Sequence, residues 1–147
     1  MPKVIVSGRG GSGKSTLVSL LARELEKKGS VLVLDADESN LGLGAMLGVE
    51  PPARTIMEGL GGKPAVSEKM RVMFDSGFKE KPRFFEGALL LRQLPADQVS
   101  ADGELRFARV GKIEHSHEGC ACPMGAVAKG FLNHLEVEPD QWVVVDT

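Results

Sequence analysis

Residues Lys3–Thr16 read KVIVSGRGGSGKST, and this stretch decides the fold. Val4-Ile5-Val6 is a short apolar run that reads as a buried strand, with Lys3 to Ser7 as its extent. A glycine-rich turn follows, then Lys14-Ser15 and the start of an amphipathic helix. This is the pattern G-x-x-x-x-G-K-[ST] between a strand and a helix, the context in which it forms a phosphate-binding P-loop. Glycines at Gly10, Gly11 and Gly13 let backbone N–H groups curl around phosphate oxygens. The helix N-terminus adds partial positive charge. Ser12 and Thr16 complete the cradle, Lys14 is placed to reach the outer phosphates, and the Ser15 hydroxyl to ligate Mg²⁺. A nucleotide ligand, ATP or ADP, is expected.

Working outward, Leu17, Leu20, Leu21 and Leu25 recur at helical spacing from Gly13 to about Lys28, and Gly29 stands where a helix C-cap glycine belongs. Val31-Leu32-Val33-Leu34 is a second apolar strand, running into Asp35-Ala36-Asp37. Two apolar strands joined by an amphipathic helix predict a βαβ unit and a parallel sheet covered on both faces. Leu41–Leu47, Thr55–Leu60 and Ser67–Phe74 are helical candidates, and Gly61-Gly62, Gly77 and Lys79-Glu80-Lys81 read as connections. Gly87–Leu94 and Leu105–Ile113 are strand candidates separated by a loop over Pro95–Gly103. Pro123–Leu135 reads as a helix with Pro in its first turn, and Trp142–Val145 as a last strand ending in Asp146. The expected architecture is a three-layer α/β/α P-loop NTPase with a mostly parallel sheet.

Composition narrows the function. The chain has 147 residues, enough for one domain, with a net charge of −2 and only six Phe, one Trp and no Tyr. That is neither the basic surface nor the aromatic platform of a nucleic-acid binder. No apolar run reaches the length of a membrane span. The chain enters strand and P-loop directly, so no signal peptide and a cytoplasmic location are expected.

Two further constellations carry chemistry. A P-loop ATPase needs a carboxylate at a neighbouring strand end to hold Mg²⁺, and Val143-Val144-Val145-Asp146 has that shape. Asp35 and Asp37 are expected at the same sheet edge, Asp35 supporting the Mg²⁺ shell and Asp37 orienting or deprotonating the attacking water. Cys120-Ala121-Cys122 places two thiols on one short segment, where a disulfide would be strained. Two thiolates are half of a four-sulfur site, and two copies about a two-fold axis would supply all four ligands. Such a set suits Zn²⁺, an iron–sulfur cluster or Ni²⁺. His115 and His117 lie just upstream as further candidate ligands.

GRGGSGKST resembles the deviant Walker A loop of the MinD/ParA/nitrogenase-iron-protein group of ATPases, usually K-G-G-x-G-K-S/T-T. LDADESNLG is similar to the switch I region of that group. GKIEHSHEGCACPMGA, with the helix after it and VVVDT, is similar to the carbon monoxide dehydrogenase nickel-insertion ATPases of CooC type, which carry G-C-x-C-P. The resemblance implies an ATP-dependent metallochaperone. Nucleotide would bring two subunits face to face, Cys120 and Cys122 would hold Ni²⁺ or Zn²⁺ at the homodimer interface, and a nickel enzyme would be the client. It assigns Asp37 as the switch I carboxylate and Asp146 as the Walker-B-like one. The signature lysine is here Arg9, which keeps the charge and would act in trans as an arginine finger.

Proteins of that group continue past the Asp-Thr strand end, so residues 1–147 are expected to be the N-terminal portion of a longer domain, with an uncovered sheet edge. Two other functions fit the same loop. One is an iron–sulfur electron-transfer ATPase like the nitrogenase iron protein, although its cysteines are widely separated in sequence. The other is a positioning ATPase of MinD/ParA type, which works on DNA or membranes through basic patches or an amphipathic tail.

Overall fold

Two strands of almost purely apolar sequence, β2 (Ser30–Asp35) and β7 (Gln141–Asp146), run parallel through the interior of a five-stranded sheet. Val31, Leu32, Val33, Leu34, Val143 and Val144 have no exposed surface, as expected for strands covered on both faces. The computed structural model describes residues 3–37, 40–111 and 122–147. β1 (Lys3–Val6) leads into α1 (Lys14–Glu26), which crosses to β2. Three short to medium helices follow: α2 (Leu43–Leu47), α3 (Ile56–Gly59) and α4 (Gly62–Asp75). Then come β3 (Leu89–Leu90), β4 (Ser100–Asp102), β5 (Leu105–Arg109), α5 (Cys122–His134), β6 (Leu135–Glu136) and β7. The main sheet has the order β1-β7-β2-β5-β4, parallel except for β4, and β3 pairs with β6 in a separate parallel ribbon.

Alternation along the strands sorts the core into two layers. Val31, Val33, Phe107 and Val144 face Val18 and Ala22 of α1 and Leu43 and Leu47 of α2. Leu32, Leu34, Val110, Val143 and Val145 face Ile56, Met57, Val66, Met70, Val127 and Phe131 from α3, α4 and α5. The three-layer α/β/α arrangement follows, because each face of an apolar sheet must be buried under helices. None of the described helices is long and apolar enough to cross a membrane.

Several local expectations change. Val4-Ile5-Val6 reads as a buried strand, yet β1 pairs with β7 alone among the described residues and Ile5 is 59% exposed. Leu17 and Leu20 of α1 are exposed as well. Gly29 does not adopt the left-handed conformation of a cap glycine; a Cβ there would fall 2.2 Å from the Asp140 carbonyl oxygen, so close packing requires it. Helix α4 starts at Gly62, five residues before the apolar repeat suggested, after the left-handed N-cap Gly61, with Pro64 tolerated in its first turn. The segment Gly87–Leu94 contributes only two strand residues before a 3₁₀ turn over Leu91–Gln93. Part of the expected loop Pro95–Gly103 pairs instead as β4 against β5. The α3 boundary matches its signals closely: Thr55 and Glu58 form a reciprocal capping box.

Lys3 ties the edge strand to the helical layer. Its Nζ donates to the carbonyl oxygens of Leu132 (2.5 Å) and Leu135 (2.6 Å), at the C-terminal end of α5 where a cation is favoured. Lys3→Ala is therefore expected to cost about 1–2 kcal/mol at neutral pH, read as a lowered urea midpoint. Burial holds the Lys3 ammonium below its ordinary pKa of 10.5. The unfolded chain binds that proton more tightly, so stability rises as pH climbs through the lowered pKa toward 10.5, and the cost of Lys3→Ala grows over that window. A cost that stays flat or shrinks there would contradict this reading.

Candidate nucleotide site

The loop between β1 and α1 turns back through a Ser12 N–H to Arg9 carbonyl bond of 3.2 Å. Gly11 (φ 77°) and Gly13 (φ 90°) hold the left-handed conformations that the turn needs. Gly13 is also the residue at which α1 begins, so the helix has no side-chain cap, and its first turn carries no acidic residue. The first N–H groups of α1 thus lack a capping side chain, which is the arrangement that receives an anion. Gly10 adds a separate clue. Its φ is not positive and a Cβ there would meet no protein atom within 4 Å, so nothing in the chain itself demands glycine at that point.

In front of this loop lies an open cleft of about 510 Å³, walled by Gly10, Gly11, Gly13 and Lys14–Thr16 on one side and by Asp37, Asn40 and Met46 on the other. The Lys14 ammonium reaches back toward the Arg9 carbonyl at 3.4 Å. Ser15 Oγ donates to Asp146 Oδ2 at 2.6 Å. Asp146 is completely buried, and its other oxygen, Oδ1, has no hydrogen-bond partner among the described residues. An anionic oxygen buried without a partner is costly, and a bound cation or its water would satisfy it. Asp35 is the register partner of Asp146, also buried, and its Oδ1 accepts the Asp37 N–H at 3.2 Å. A serine hydroxyl beside strand-end carboxylates is an all-oxygen donor set that fits Mg²⁺.

The structure thus brings Lys14, Ser15, Asp37 and Asp146 to one sheet edge, with Asp35 behind them. Arg9 is exposed and does not line the cleft. Cys120, His115 and His117 lie outside the described residues, whereas Cys122 is the first residue of α5. Because α5 connects the parallel strands β5 and β7, its N-terminus sits at the same edge of the sheet as the P-loop. Among the described residues no three His, Cys, Asp or Glu side chains cluster closely enough to hold a metal.

Sequence reasoning missed Asn40. It lines the cleft, its Nδ2 donates to Ser15 Oγ at 2.7 Å, and its Oδ1 accepts the Gly42 N–H at 2.9 Å. The available signal was its place in the strand-end segment, three residues after Asp37.

With this geometry in view, the profile of the ParA family, described as NUBPL iron-transfer P-loop NTPases, matches residues 3–89. The chain belongs to that family. It is 40% identical over 146 residues to an uncharacterized ATP-binding protein, MJ0084, of Methanocaldococcus jannaschii, covering 99% of this chain and 57% of the relative. It is 26% identical over 148 residues to the carbon monoxide dehydrogenase accessory protein CooC of Rhodospirillum rubrum, covering 98% of this chain and 53% of the relative. A second uncharacterized ATP-binding protein of M. jannaschii, MJ0823, is 30% identical over 153 residues, covering 98% and 53%. The chain therefore spans about half the length of the curated relatives it matches.

The glycines of the loop separate backbone need from ligand need. Gly13→Ala is expected to cost about 1–2 kcal/mol of stability through its left-handed φ. Gly10→Ala should stay within about 0.5 kcal/mol. Urea unfolding of both variants checks this, and equal losses would refute the distinction.

Proposed function

We propose that this chain binds Mg²⁺·ATP at residues 8–16, hydrolyses it to ADP and phosphate, and uses the cycle to handle a metal cargo. The observation that carries the nucleotide half is the orphaned Asp146 Oδ1 beside Ser15, at the N-terminus of a helix without a side-chain cap. In this reading Gly10–Thr16 cradle the phosphates and Lys14 neutralises charge on the outer ones. Ser15, Asp35 and Asp146 hold the magnesium shell, and Asp37 orients the attacking water. Mg²⁺ supplies charge neutralisation across the phosphates. Exposed Arg9 is free of the cleft and suits a role on a partner subunit's nucleotide. The exposed surfaces of Ile5, Leu17 and Leu20, together with the half-length match to relatives, support residues 1–147 as the N-terminal portion of a longer domain.

The cargo half rests on Cys120 and Cys122 and on similarity to the CooC accessory protein. The reading is an ATP-dependent metallochaperone. Two copies present four thiolates to Ni²⁺ or Zn²⁺ across a nucleotide-bridged homodimer, and the metal passes to a carbon monoxide dehydrogenase or related nickel enzyme. The placement of the α5 N-terminus at the P-loop edge favours coupling, because both loops would then meet the same partner surface. A second reading takes iron or an iron–sulfur cluster as the cargo, supported by the iron-transfer description of the family.

Metal analysis combined with sedimentation, with and without Mg²⁺·ATP, tests both halves. The expected result is about one Ni²⁺ or Zn²⁺ per dimer, with dimerisation strengthened by nucleotide. Cys120→Ser or Cys122→Ser should abolish metal retention. Metal that persists in a monomeric cysteine variant would overturn the bridging site, and a brown protein containing iron would favour the second reading.

A further inference from the structure

The Asn40–Ser15–Asp146 chain has only one consistent arrangement of protons. The Gly42 N–H can donate only to an oxygen, so the Asn40 amide is oriented with Oδ1 toward Gly42 and Nδ2 toward Ser15. Nδ2 has no acceptor capacity, so Ser15 Oγ must accept from it. The single hydroxyl proton of Ser15 is then given to Asp146 Oδ2. The donor on Ser15 is thus turned toward the carboxylate, as metal ligation of the same oxygen also requires. One of its two lone pairs, however, is held by Asn40.

A divalent cation on Ser15 Oγ would have to share that oxygen with an amide hydrogen pointing at it. The amide N–H carries partial positive charge, so the two repel each other at this part-buried oxygen. The Ser15–Asp146 bond has no such conflict, because the cation and the carboxylate take opposite ends of the O–H group. Asn40 also stands in the segment immediately before α2, and the same side chain holds the Gly42 N–H at the point where that helix starts. Moving its amide off Ser15 therefore disturbs the turn into α2.

We infer that Asn40 is a latch on the metal-ligating hydroxyl: its amide holds one lone pair of Ser15 Oγ, so it competes with Mg²⁺ for that oxygen and is displaced as Mg²⁺ binds with nucleotide. Occupancy of the P-loop is thereby transmitted to residues 40–47. This rests on the nucleotide and magnesium reading of the cleft and adds to it a positioning residue that acts through Ser15. Asn40 opposes the metal step through its hydrogen bond to Ser15.

The test is ADP binding by calorimetry to the 147-residue chain, in Mg²⁺ and in EDTA, for the wild type and for Asn40→Ala. Release of one neutral hydrogen bond should raise the ratio of Mg²⁺·ADP affinity to metal-free ADP affinity on the order of three- to tenfold. Amide hydrogen exchange at residues 42–47 supplies a readout independent of affinity. In the wild type Mg²⁺·ADP should accelerate exchange there, whereas in the variant exchange should already be fast and insensitive to Mg²⁺. Wild-type ADP binding with an unchanged or weakened Mg²⁺ dependence in the variant would overturn the latch and leave the nucleotide reading standing. Failure of the wild type to bind ADP under either condition would overturn both.

Discussion

The hydrogen bond from Ser15 to Asp146 joins the two halves of this molecule. Ser15 belongs to the first turn of α1, and Asp146 ends β7, 131 residues later in the chain. The bond forms because β7 inserts between β1 and β2, which brings its last residue beside the loop that leaves β1. Everything proposed for the site depends on that insertion. Without it the loop would lack the Asp146 carboxylate that now lies beside Ser15.

The parallel register explains why the acidic residues gather where they do. Asp35 and Asp146 are register partners, so both carboxylates arrive at the same level and on the same face of the sheet. Buried apolar residues precede both, Leu34 before Asp35 and Val145 before Asp146, so the carboxylates come at the first polar position after each apolar run. A buried carboxylate with one unsatisfied oxygen is an expensive feature to keep. Its cost is intelligible in a protein that completes the site with a ligand. The same edge carries the start of α5, whose first residue is Cys122.

Legibility from sequence differed by element. The strands β2 and β7 were readable because their apolar runs reflect burial on both faces, which local pattern records directly. Helix α1 was readable from its leucine spacing, although Leu17 and Leu20 are exposed and its buried face is Val18, Ser19 and Ala22. The helical candidate Thr55–Leu60 also lay close to α3, whose start carries a capping box of Thr55 with Glu58 in the structure. The central segment was harder. β4 pairs with β5 through only three residues, and β3 with β6 through two, so their strand character comes from a partner and not from their own sequence. Gly29 looked like a helix cap but is glycine because the Asp140 backbone passes close by, a contact between residues far apart in the chain.

The candidate site divides the same way. The amino-acid sequence by itself determined the phosphate cradle, Lys14, Ser15, the strand-end carboxylates and the Cys120–Cys122 pair, because each is a short motif whose chemistry depends on local spacing. Only the tertiary structure decided which of these meet. It put Asp146 against Ser15 and left one oxygen without a partner. It exposed β1 at the sheet edge, and it brought Asn40, which belongs to no motif, onto the Ser15 hydroxyl. The reason is physical: a hydrogen bond between residues 25 or 131 positions apart is set by strand order and packing, and neither is written in any local pattern.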